Sequence, residues 1–110
     1  MNKLLGRAGE DRALAFLEQN GYRVIARNVR VSGGEIDLVC TDGNTIVFVE
    51  VKARSGNRFG SAVGAVDAKK RAKLRALAAD YLQIIAPTAR ARFDVVALDG
   101  TRIALHRNAF

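Results

Sequence analysis

Asp42-Gly43-Asn44 joins two apolar, β-branched runs, Gly34-Glu35-Ile36-Asp37-Leu38-Val39 and Val47-Phe48-Val49-Glu50-Val51-Lys52. That pattern commits the middle of the chain to a β-hairpin, because glycine and asparagine supply the left-handed backbone a tight turn needs. With Gly43 and Asn44 central, Asp42 faces Thr45, Asp37 faces Glu50 and Glu35 faces Lys52. Directly opposed side chains lie ~5 Å apart at Cβ, where like charges repel. Alternation then sends Glu35, Asp37, Glu50 and Lys52 to one face and Val47, Val49 and Val51 to the other. With Asp42 and Gly43 central instead, the two acids still share a face, at a diagonal of ~7–8 Å. A three-residue loop would separate them, since a slip of one residue flips a strand's side chains. Two opposed carboxylates imply a cation between them. The plainer alternative is a solvent-facing hairpin with a Glu35–Lys52 ion pair.

The flanking segments build an α/β domain around the hairpin. Residues 6–20 read as a helix closed by a left-handed cap at Gly21, with Ala13, Leu14 and Leu17 inward. Glu10 falls on the same stripe, where a carboxylate must be paired, hydrogen-bonded or bound to metal. Alternatively, Glu10 and Asp11 are first-turn acids favoured by the helix dipole. A strand over 22–31 and the turn Ser32-Gly33-Gly34 extend the hairpin to a three-stranded antiparallel meander ending near Arg54. Residues 53–65, with Gly56, Gly60 and Gly64, form a loop free enough to approach a ligand. A second helix over 66–85 buries Leu74, Leu77, Ala78, Tyr81 and Leu82 and stops before Pro87. Strands over 92–98 and 102–106 follow, and the helical crossover makes the third and fourth strands parallel. The expected product is one domain over residues 1–110, an α-β-β-β-α-β-β sandwich with a central mixed sheet.

Charge is concentrated. Arg54, Arg58, Lys69, Lys70, Arg71, Lys73 and Arg75 stand against the single acid Asp67, and they account for most of the net +7. A focused positive field implies a polyanion such as nucleic acid; a solubilising helix face is the bland alternative. Other chemistries lack their residues. One Cys (Cys40) and one His (His106) give no zinc spacing. The glycine-rich loop lacks the Gly-Lys-Ser/Thr ending of a phosphate-binding loop. The few aromatics are not gathered for base stacking. With no apolar run of about 18 residues, no membrane partner is expected. The N-terminus lacks the pattern of a signal peptide, and the lone Cys40 cannot form an internal disulfide, so the expected setting is cytoplasmic.

Nearly the whole chain resembles the YraN-like family of bacterial proteins. The match runs through Gly9-Glu10, Gly21-Tyr22, Arg27-Asn28, Gly34-Glu35-Ile36-Asp37-Leu38 and Phe48-Val49-Glu50-Val51-Lys52. It continues through Lys70, Arg92-Phe93-Asp94-Val95 and Asn108-Ala109-Phe110. That family is placed in the restriction-endonuclease-like, PD-(D/E)XK nuclease superfamily, near archaeal Holliday-junction resolvases. The resemblance implies a restriction-endonuclease-like fold with Asp37 and Glu50 as metal-binding carboxylates, the Val51 carbonyl as a third ligand and Lys52 as the catalytic lysine. Glu10 matches the helix-one acid of the resolvase-like branch. Two departures are Ile36 where the superfamily name has proline, and Arg71 where family members often carry glutamine.

The implied activity is Mg²⁺- or Mn²⁺-dependent hydrolysis of nucleic-acid phosphodiesters, DNA being the expected polymer and branched or damaged structures candidate substrates. Mg²⁺ suits hard oxygen donors and polarises phosphate. Arg54, Arg58, Lys69, Lys70 and Lys73 are the expected phosphate contacts, with Lys70 nearest the active site. A homodimer is expected by analogy alone. One competing reading is a nucleic-acid-binding protein that keeps the fold without cutting; another is an assembly protein whose basic face meets an acidic partner.

Overall fold

The computed structural model describes residues 3–54 and 67–110. Its elements are α1 (Lys3–Gln19), β1 (Arg23–Val31), β2 (Gly34–Asp42), β3 (Thr45–Arg54), α2 (Ala68–Ile85), β4 (Arg90–Asp99) and β5 (Arg102–His106). The strands form one sheet in the order β1-β2-β3-β4-β5, with β3 and β4 parallel and every other pair antiparallel. The expected α-β-β-β-α-β-β arrangement and mixed sheet are therefore borne out. Among the described residues, no helix is long and apolar enough to cross a membrane.

The helices cover opposite faces of the sheet. Ala13 and Leu17 of α1 pack with Leu38, Cys40, Val47, Val49, Val96 and Leu98. Leu74, Leu77 and Ala78 of α2 pack with Ile36, Val39, Ile46, Phe48 and Val95. Alternation along β2, β3 and β4 supplies both layers, as in sheets buried on two sides. Burial of Cys40 pushes its thiol up to about 12, so this sulfur is inert core packing.

Local sequence sets the element ends. At the end of α1, Tyr22 N–H donates to Leu17 O and Gly21 N–H to Glu18 O, with Gly21 at φ 87°. This Schellman pair satisfies the last carbonyls and uses the left-handed conformation glycine tolerates. Asp67 caps α2 by accepting from Lys70 N–H at 2.9 Å. Helix α1 begins at Lys3, which puts Glu10 beyond the first turn. The helix-dipole account of that residue is thus corrected, because the dipole's influence fades within a turn.

The end of the sheet nearest the β2–β3 turn is held by a polar network around Asp94, which is fully buried. Tyr22 Oη donates to Asp94 Oδ2 at 2.6 Å, and Asn108 N–H donates to Asp94 Oδ1 at 2.8 Å. Arg92 donates to Asp94, Tyr22 Oη and Asp42, while Arg107 donates to Tyr22 Oη at 3.0 Å. A carboxylate this deep is tolerable because donors surround it. Beside it, Phe110 stacks on Phe93 with centroids 4.9 Å apart.

Candidate metal and nucleic-acid site

Strands β2 and β3 part at the candidate site. Their ladder runs from Asp42↔Thr45 to Leu38↔Val49, the register set by Gly43-Asn44 as central turn residues, and Gly43 has the required positive φ of 60°. The ladder ends there. Val51 N–H donates to the Asp37 side chain at 2.8 Å. Backbone N–H and C=O of one strand residue lie on the same edge, so the Val51 carbonyl borders the same gap.

A phase change in two strands opens this gap. Leu38 packs toward α1 and Val39 toward α2, so strict alternation would put Ile36 on the α1 side. Ile36 instead packs with Leu74 and Leu77 on the α2 side. On β1, Ala26 and Val29 both pack toward α2 although three positions separate them. Between them Asn28 has φ 54°, and the Asn28–Asp37 rung is missing from the register. Asparagine tolerates this left-handed backbone better than most residues.

The expectation that Glu35, Asp37, Glu50 and Lys52 line one face, with Glu35 opposite Lys52, is therefore corrected. Glu35 and Asp37 turn toward Glu10 of α1, and one carboxylate oxygen from each of the three lies within 4.8 Å of the others. Glu50 meets Lys70 of α2. Asp37 occupies the boundary, in charge and hydrogen-bond contact with Glu50 and in charge contact with Glu10.

Burial pushes the Asp37 carboxyl up to about 7, and the nearby Glu50 charge adds to the rise; the Val51 N–H bond opposes it. Arg27 offsets part of the acidity, at 2.7 Å from Asp11 and 3.8 Å from Glu10. The donor set fits a small divalent cation. Ligand oxygens on an octahedral Mg²⁺ lie ~3 Å apart when adjacent and ~4.2 Å when opposite, so the Glu10, Glu35 and Asp37 oxygens, within 4.8 Å of one another, would close by up to ~1.8 Å around one ion. All donors are hard oxygens, which suits Mg²⁺ or Mn²⁺ over softer metals.

Two lysines stand on the other flank. Glu50, only 7% exposed, receives Lys70 Nζ at 2.8 Å and Lys52 Nζ at 3.7 Å from Oε1. Burial lowers the Lys52 pKa, and the neighbouring Lys70 charge lowers it further. Burial also opposes the charge on Lys70, but its bonds to Glu50 and Lys52 prevail and hold its pKa up. Lys52 is thus the lysine that gives up its proton more readily.

A groove of about 450 Å³ along α2 is lined by Lys69, Lys70 and Lys73 with Asp67, Leu74, Leu77 and Glu35, so Glu35 borders both this groove and the Glu10–Asp37 cluster. The structure thus brings Glu10, Asp37, Glu50, Val51, Lys52, Lys69, Lys70 and Lys73 to one end of the sheet. Arg58 and the side chain of Arg54 lie outside the described residues. Sequence reasoning missed Glu35 as a partner of Glu10 and Asp37, and it placed Lys70 at the edge, not on Glu50. Asn28 was the available signal, since a residue suited to left-handed backbone inside a strand marks an irregularity.

The model of Uncharacterised protein family UPF0102 matches residues 9–98. A UPF0102 protein from Shewanella loihica is 46% identical over 105 residues, covering 96% of this chain and 92% of its own. One from Symbiobacterium thermophilum is 47% identical over 116 residues, covering 100% and 98%. Another, from Ralstonia nicotianae, is 51% identical over 110 residues, covering 96% and 85%.

Proposed function

Since the chain belongs to Uncharacterised protein family UPF0102, a kinship that assigns no reaction, we propose from its site that it is a metal-dependent nuclease acting on DNA. The carrying observation is Asp37 fixed by Val51 N–H between the carboxylates of Glu10 and Glu50, with Lys52 beside them. Partly buried acids crowded in this way repel one another, and a bound cation would relieve that repulsion. The restriction-endonuclease-like arrangement of strands and helices supports the same reading.

Asp37, Glu50 and the Val51 carbonyl would hold the ion, with Glu10 and Glu35 able to extend the set. When bound, Mg²⁺ or Mn²⁺ supplies Lewis-acid polarisation of the scissile phosphate and acidifies water. Lys52, 3.7 Å from Glu50 Oε1, would orient the attacking water or hold a phosphate oxygen. Lys69 and Lys73 hold flanking phosphates without reading bases. The test incubates labelled duplex, flap, four-way-junction and single-stranded DNA, and RNA, with Mg²⁺, Mn²⁺ or EDTA. Cleavage that needs metal and is lost in Glu50→Ala is expected; wild-type protein that binds without cutting under either ion would sink this reading.

A second reading, binding without cleavage, draws on the 2.8 Å Lys70–Glu50 pair. An ammonium already neutralises Glu50, so a binding protein could keep this acid with no ion beside it.

A further inference from the structure

Glu50 has a counter-charge supplied from another layer of the fold. Lys70 reaches it from the first turn of α2, which the Asp67 cap holds in place. The two ends of the pair differ in environment: the Glu50 side chain is 8% exposed and that of Lys70 40% exposed. The lysine therefore has open solvent to move into, while the carboxylate does not. An ammonium 2.8 Å from Oε1 also takes the space next to that oxygen, which a cation bound to it at ~2.1 Å would need.

We propose that Lys70 is a displaceable counter-ion of Glu50: it neutralises the carboxylate before a divalent cation binds and swings away from it, along the groove it already lines, when one does. The inference rests on the cation-dependent reading above and adds a coupling to it. Cation entry transfers positive charge from Glu50 to the surface shared with Lys69 and Lys73, where a phosphate group would meet it. Cation and polyanion should consequently bind better together than apart, and by linkage each raises the affinity of the other equally.

Mn²⁺ binding, measured by electron paramagnetic resonance without nucleic acid, tests this in wild type, Lys70→Met, Lys70→Arg and Lys73→Met. Removing a competing charge-assisted bond should tighten Mn²⁺ binding roughly tenfold or more in Lys70→Met. Lys70→Arg should stay near wild type and Lys73→Met should change little. A duplex oligonucleotide should tighten Mn²⁺ binding by wild type, and by Lys70→Met less. Equal gains in Lys70→Met and Lys73→Met would reduce the effect to net charge and overturn the coupling. So would wild-type affinity in a folded Lys70→Met, although the metal site itself would stand. No Mn²⁺ binding by wild type or Lys70→Met would instead overturn the nuclease reading and the counter-ion with it.

Discussion

The carboxylate of Asp37 receives the N–H of Val51 at 2.8 Å, where regular pairing would have offered the backbone of Ile36. One side chain thus ends a ladder and puts a half-buried acid in the opening it makes. Because burial and Glu50 raise its pKa to about 7, the folded protein binds a proton that the unfolded chain releases near pH 4. Stability from this group is full below the unfolded pKa and is lost as pH rises through about 7. Asp37→Asn should raise the Tm at pH 8, worth roughly 1–3 kcal/mol, with little gain at pH 4. Thermal melts across that range, with and without Mg²⁺, check this, and Mg²⁺ should stabilise wild type more than the variant.

Glu50→Ala should abolish cleavage and leave DNA binding at low salt intact or stronger, since a negative charge near phosphate is removed. Side-by-side cleavage and fluorescence-anisotropy titrations give the answer. Loss of binding together with cutting would mark Glu50 as structural.

Lys69→Ala and Lys73→Ala should each flatten the dependence of log K on log salt by about 1. Affinity measured at four or five salt concentrations suffices. An unchanged slope would move the phosphate-binding surface away from α2.

Gly34→Ala should destabilise the fold by roughly 1–3 kcal/mol, because the added methyl would lie 2.6 Å from Leu77 Cδ1. Leu77 is 3% exposed and has little room to yield. Urea denaturation of Gly34→Ala, Leu77→Ala and the double variant should show strong non-additivity, because the smaller residue removes the clash.

Tyr22→Phe should cost roughly 1–3 kcal/mol in urea denaturation, since it strips one donor from buried Asp94. It should leave Mn²⁺ affinity unchanged, because Tyr22 belongs to the network at the turn end of the sheet.

Much of the scaffold was legible because its signals are local. The hairpin register followed from Gly43-Asn44, the end of α1 from Gly21, and the parallel β3–β4 pair from the helix between them. The faces of Glu35 and Asp37 were not. Alternation is a rule for regular strands, and the left-handed Asn28 shifts β1 and β2 together through contacts no window of sequence contains. Lys70 belongs to the same class. Its position near the site was anticipated, but its bond to Glu50 depends on how α2 lies over the sheet.

Asn28 also warns against improving this protein by rote. Replacing it with a strong β-former such as valine would look like a routine repair to β1, since β-branched residues favour strands. A regularised β1 would straighten its neighbour and rotate the Asp37 carboxyl toward the opposite layer, away from Glu10. The repaired strand would then belong to a sturdier protein whose acidic groups no longer meet.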